Sequence, residues 1–181
     1  MVEYYFDIET YTACDRPDPK TDKIITIQYQ ELSPLDGHPI SDLRILTEWD
    51  YKSEKEMLQY FKEIFLAGSP FDFIPVGVNL YGFDLISIIH RLNHHFNLNL
   101  GYDLFRDRPV IDIKPVLVIM NKGIFRGYTQ FLGKKEAGNM IKSWYDAGDH
   151  QKIIEYIRTE AQNFINRYQL LKKELPQLLL K

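Results

Sequence analysis

The sequence predicts an α/β protein in which a mixed sheet is covered by helices, and three patterns carry that expectation. Residues 2–47 hold three short runs rich in aromatic and β-branched residues, divided by Pro-, Gly- and Asp-bearing segments. A compact apolar run at 71–78 follows the first helical pattern, and from there to the end apolar residues recur mostly at helical spacing. Alternation every two residues marks a strand with one buried face, and recurrence every three or four marks a helix. Strands, a helix, another strand and then helices describe a layered arrangement around one sheet.

Val2 to Asp7 reads as the first strand, and Thr10 to Asp22, with Pro17 and Pro19, as a loop. In Lys23 to Glu31, Ile25, Ile27 and Tyr29 alternate with Thr26, Gln28 and Gln30, the pattern of a half-buried strand. Ser33 to Asp42 carries Pro34, Asp36-Gly37 and Pro39 and turns the chain into a third strand, Leu43 to Thr47. Ser53 and Glu56 form a capping box for a helix whose Met57, Leu58, Phe61, Ile64 and Phe65 share a face up to the stop at Gly68. Phe71 to Val78 suits a buried strand. Asn79-Leu80-Tyr81-Gly82-Phe83-Asp84 then leads into a second helix ending near Phe96. Val110 to Ile113 reads as a strand, Pro115 to Asn121 as a short helix, and Gly123 to Gly133 as a glycine-punctuated loop. Two helices close the chain, Glu136 to Tyr145 and His150 to Glu174, the last with Ile153, Ile157, Phe164, Tyr168 and Leu171 along one stripe.

The 181 residues suffice for one well-buried core, so residues 1–181 are expected to form a single domain. A formal charge of -3 excludes strong global attraction to nucleic acid and makes any phosphate binding a local property. The lone Cys14 excludes an internal disulfide and a cysteine-rich zinc site. No apolar run approaches the ~20 residues of a membrane helix and no leader pattern stands at the N-terminus, so a cytoplasmic protein with no membrane partner is expected.

Asp7 and Glu9 are two apart on the first strand and therefore project from the same face, where they repel each other unless a cation lies between them. Asp84 follows a core strand and opens a helix. It complements the helix dipole there, worth about 0.3–1 kcal/mol, and it also lies where open α/β sheets hold ligands. In the last helix Tyr156 and Glu160 are four apart on one face, with Glu160 at the edge of the apolar stripe. Lys114, Lys122, Arg126, Lys134 and Lys135, with no acidic residue among them and with aromatic Phe125, Tyr128 and Phe131 interleaved, read either as a phosphate-binding stretch or as a solvated basic surface. His90, His94 and His95 lack both the glutamate of a zincin helix, replaced by Arg91, and a third ligand.

Taken together, Phe6-Asp7-Ile8-Glu9-Thr10, Asn79 to Asp84 and Tyr156 to Glu160 resemble the three motifs of the DEDD superfamily of 3′-to-5′ exonucleases. Within it they resemble the tyrosine subgroup that includes the proofreading domain of family B DNA polymerases. Val110-Ile111-Asp112-Ile113 and Gly133-Lys134-Lys135 are similar to segments between the second and third motifs of such domains. One position departs: the third motif of the family ends in aspartate, and here it ends in Glu160. Glu155, five residues before Glu160, stands where the histidine subgroup would have its histidine.

The resemblance implies a ribonuclease H-like fold and hydrolysis of phosphodiester bonds at the 3′ end of single-stranded DNA with two Mg²⁺ or Mn²⁺ ions. By the family pattern Asp7 would bridge both ions. Glu9 and Glu160 would complete the nucleophile-side site, Asp84 would hold the leaving-group ion, and Tyr156 would orient the attacking water. Thr10, Asn79, Phe83, Lys122, Arg126, Lys134 and Lys135 would contact substrate, and a protein partner in DNA replication or repair would be in keeping with the family. The alternative is a catalytically silent domain that keeps the fold as a nucleic-acid-binding or protein-interaction module. A hydrolase of small phosphorylated molecules is a third reading of the same carboxylates.

Overall fold

The computed structural model describes residues 1–13, 16–124 and 139–179, with side chains up to Glu174. Five strands form one sheet: β1 (Glu3–Tyr11), β2 (Lys23–Leu32), β3 (Arg44–Thr47), β4 (Ile74–Gly77) and β5 (Ile111–Asp112). Their spatial order is β3-β2-β1-β4-β5; β2 pairs antiparallel with both β1 and β3, whereas β4 pairs parallel with both β1 and β5. The meander at the start and the single strand after the first helix thus join as a mixed α/β sheet of ribonuclease H-like order. Five α-helices accompany it among the described residues: α1 (Glu54–Phe65), α2 (Asp84–Phe96), α3 (Lys114–Met120), α4 (Asn139–Ala147) and α5 (His150–Leu179).

The sheet is dressed on both faces. Phe6, Ile8, Ile24, Ile27 and Tyr29 pack with Met57, Leu58 and Phe61 of α1 and Leu85, Ile88 and Leu92 of α2. On the opposite face Tyr5 packs with Phe164 and Tyr168 of α5, its ring centroid 5.0 Å from that of Phe164. Ser53 caps α1 as expected, its Oγ accepting the N–H of Glu56. No helix among the described residues is long and apolar enough to cross a membrane.

Several sequence expectations are corrected by this geometry. β1 runs to Tyr11, so Asp7 and Glu9 lie well inside a strand and not at its end. β2 is buried on both faces: Thr26 and Gln28, which strict alternation would leave facing solvent, are fully buried. The alternation itself breaks at a register shift beside Glu9, where Thr26 pairs with Glu9 but Ile24 pairs with Thr10. The extra residue, Ile25, is thereby turned away from Ile24 and Ile27 and joins Trp144, Ile153 and Ile157 under α4 and α5. β4 is shorter than the apolar run that predicted it, and it ends at Gly77, where a Cβ would lie 2.7 Å from the carbonyl oxygen of Phe6 on β1 and 2.7 Å from the Leu80 side chain. Finally, α5 continues past Glu174 through Pro176.

Candidate metal centre

Three elements converge on one face of β1. Asp7 and Glu9 project toward α5, and Glu160 reaches them from that helix: each of the three offers a carboxylate oxygen within 4.8 Å of the other two. Glu160 is buried, and its extra methylene does not keep its carboxylate from the pair. At an effective dielectric of about 20, two carboxylates at this separation repel by about 3 kcal/mol, more than a surface ion pair supplies. A cation bound among them would relieve that repulsion.

The fourth carboxylate enters from the opposite layer. Beyond Tyr5 the edge of β1 has no partner on β4, and Asp84, at the start of α2, fills the gap by accepting the N–H of Ile8 at 3.3 Å on Oδ1. Burial, the charge of Asp7 and a hydrogen bond with Asp7 all push the Asp84 carboxyl well above the usual carboxylate range. Asp7 is also held by Gln28, whose Nε2 donates to Oδ2 at 3.1 Å, while Thr26 Oγ1 donates to Gln28 Oε1 at 3.1 Å. The Tyr5 hydroxyl stands 3.4 Å from the same Oδ2.

Tyr156 sits one helical turn before Glu160 and hydrogen-bonds to it. Burial, reinforced by the charges of Glu9 and Glu160, raises its phenol far above the ordinary tyrosine value. This group donates a hydrogen bond and does not ionise at any physiological pH.

The remaining sequence candidates divide. Thr10 follows Glu9 on β1 and pairs with Ile24 across the register shift. Asn79 has left-handed backbone (φ 66°), and its Oδ1 accepts from Lys114 Nζ at 2.7 Å. Phe83 is half-buried and packs against the apolar cluster between the sheet and α1 and α2, and Lys122 is exposed at the end of α3. Arg126, Lys134 and Lys135 lie outside the described residues, as does Cys14. Of the histidine cluster, His95 is engaged elsewhere: its Nε2 and the Arg91 guanidinium bind Glu54 of α1, tethering α1 to α2. Sequence reasoning missed Tyr5, Thr26 and Gln28. Only a register argument could have found the last, since Gln28 lies directly opposite Asp7.

The oxygen-only donor set of Asp7, Glu9 and Glu160 fits a hard divalent cation such as Mg²⁺ or Mn²⁺ and does not fit a soft metal. No family model matches the chain and no curated protein matches it. Two solved structures share its fold, both of E. coli Exonuclease I. The first, in complex with a dT13 oligonucleotide, superposes with a TM-score of 0.64 at 11% identity, over 98% of this chain and 42% of that one. The second, with 5cy-dT13, gives 0.61 at 12% identity, over 98% and 41%. The chain thus spans about two fifths of the length of the Exonuclease I chain and shares with it the ribonuclease H-like α/β fold.

Proposed function

We propose that this protein is a divalent-metal-dependent exonuclease that removes nucleotides from the 3′ end of single-stranded DNA, in the tyrosine subgroup of the DEDD superfamily. The observation that carries the reading is the meeting of Asp7, Glu9 and Glu160 within 4.8 Å, with Asp84 against Asp7. It is supported by a fold shared with an exonuclease whose structures hold single-stranded oligonucleotides.

Asp7, Glu9, Asp84 and Glu160 would hold two Mg²⁺ or Mn²⁺ ions, which would supply Lewis acidity toward water and the scissile phosphodiester. The chain's own groups do the rest. Asp7, Glu9, Asp84 and Glu160 provide the negative charge that selects cations, and Gln28 and Tyr5 fix the rotamer of Asp7. Tyr156 donates to Glu160 and keeps that carboxylate turned toward Asp7 and Glu9. A phenol so resistant to ionisation orients and does not act as a base. Thr10, Asn79 and Phe83, with Lys122 and the basic residues Arg126, Lys134 and Lys135, are the proposed substrate contacts.

Purified protein with Mg²⁺ or Mn²⁺ should shorten a 5′-labelled single-stranded oligonucleotide stepwise from its 3′ end, and Asp7→Ala should abolish this. An oligonucleotide retained but left intact would favour the binding module instead. Equal degradation by Asp7→Ala would assign the activity to a contaminant.

A further inference from the structure

Asp112, the last residue of β5, sits in register beside Gly77, where β4 ends. Its carboxylate collects three backbone donors. Oδ1 accepts the N–H of Asn79 at 2.8 Å and of Lys114 at 3.0 Å, and Oδ2 accepts that of Tyr81 at 3.1 Å. Two of the three belong to the turn between β4 and α2. That turn is unusual in two places: Asn79 holds left-handed backbone, and at Gly82 a Cβ would lie 2.3 Å from Asn79 Oδ1. The carbonyl of Asn79 accepts the N–H groups of both Gly82 and Phe83, and Lys114 Nζ ties down its side chain. Asp84 is the next residue, and its carboxylate reaches Ile8.

We propose that Asp112 is a positioning residue of the candidate metal centre, gripping the Asn79–Phe83 turn so that Asp84 is delivered to the N–H of Ile8 and to Asp7. The proposal rests on the reading of Asp84 as a functional carboxylate. A charged acceptor on three amides is a strong local restraint, and it acts on a turn whose backbone the chain would not otherwise favour. Displacing Asp84 by even about 1 Å is the kind of error that costs a positioned site on the order of a hundredfold in rate.

Asp112→Asn tests this, because it keeps the shape of the side chain while setting an amide donor against a backbone N–H. The readouts are amide hydrogen exchange and steady-state kinetics. Exchange at Asn79 and Tyr81 should quicken, and exchange at Ile8, on another strand, should quicken with them while the β2 core stays protected. In an active enzyme kcat should fall by about 10–100-fold with KM within about twofold. A folded variant whose Ile8 amide exchanges at the wild-type rate overturns the proposal, whatever happens at Asn79, because the restraint then fails to reach Asp84. Wild-type protein inert toward oligonucleotides would overturn the nuclease reading alone, and the Ile8 amide still decides the role of Asp112. Should Asp112→Asn fail to fold, Asp112→Ser, which retains one acceptor, is judged by the same criterion.

Discussion

The N–H of Ile8 donates to Oδ1 of Asp84 at 3.3 Å, so the residue between Asp7 and Glu9 is tied to the head of a helix 76 positions further on. One bond thus joins the two motifs across the open edge of β1. The same carboxyl meets Asp7, and burial, with the charge and hydrogen bond of Asp7, raises its pKa against the lowering effect of the Ile8 N–H.

Asp84→Asn follows directly. The folded protein holds the Asp84 proton more tightly than the unfolded chain, since burial, the Asp7 charge and the Asp7 hydrogen bond raise its pKa. Its contribution to stability is therefore fully present below the ordinary carboxylate value and is lost as pH rises through the raised one. An asparagine keeps an acceptor for Ile8 and a donor for Asp7 at every pH. Metal-free Asp84→Asn should gain on the order of 1 kcal/mol over wild type at pH 8, about 2–4 °C in Tm, with the gap closing toward pH 4. Thermal melts in EDTA across that range check it; a variant less stable than wild type at pH 8 would show that Asp84 is ionised in the folded protein.

Glu160→Asp tests whether α5 is placed for the longer side chain. The Glu160 carboxylate already stands within 4.8 Å of those of Asp7 and Glu9, so removing one methylene withdraws it by about 1.5 Å. Mn²⁺ affinity measured by calorimetry should weaken at least about tenfold, and hydrolysis should fall with it. Unchanged affinity would mean that the helix can slide to compensate.

Tyr156→Phe removes only a hydroxyl that donates to Glu160. Rate should fall by about 10–100-fold, a loss of about 1.4–2.8 kcal/mol in transition-state stabilisation. The pH–rate profile between pH 6 and 9 should keep its shape, because the phenol is pushed far above that window. A lost basic limb would identify Tyr156 as a titrating base after all.

Much of this centre was legible in the sequence, and what was not has a physical reason. Asp7 and Glu9 were readable as a pair because strand period places i and i+2 together, and Glu160 because helix period places it beside the apolar stripe. Gln28 was hidden. Alternation along β2 marks it as polar and outward, and only the pairing that sets it opposite Asp7 reveals that outward means toward a buried site. Ile25 was assigned the wrong face because a single-residue bulge leaves no trace in composition. The histidine cluster was already a poor zinc site by sequence, but the partner that engages His95, Glu54 of α1, lies 41 positions away and no local pattern announces it.

That tether gives the last prediction. Glu54 is buried and would be held neutral by burial, yet hydrogen bonds from Arg91, His95 and the N–H of Ile24 outweigh that effect and lower its pKa. The stability it supplies is present above the ordinary carboxylate value and is lost as pH falls through the lowered one. Arg91→Ala leaves a buried carboxylate without its bidentate partner, which should cost about 3 kcal/mol, or roughly 6–12 °C in Tm at pH 7. The loss should shrink as pH falls and the carboxyl is protonated. Because Arg91 lies on the face of the sheet opposite α5, Mn²⁺ affinity of the folded variant should stay within about twofold of wild type. A zinc chelator should leave the wild-type Tm unmoved, since His95 is engaged by Glu54. Coincident losses of Mn²⁺ affinity and stability in Arg91→Ala would show instead that the two faces of the sheet are coupled through α2, the helix that carries both Asp84 and Arg91.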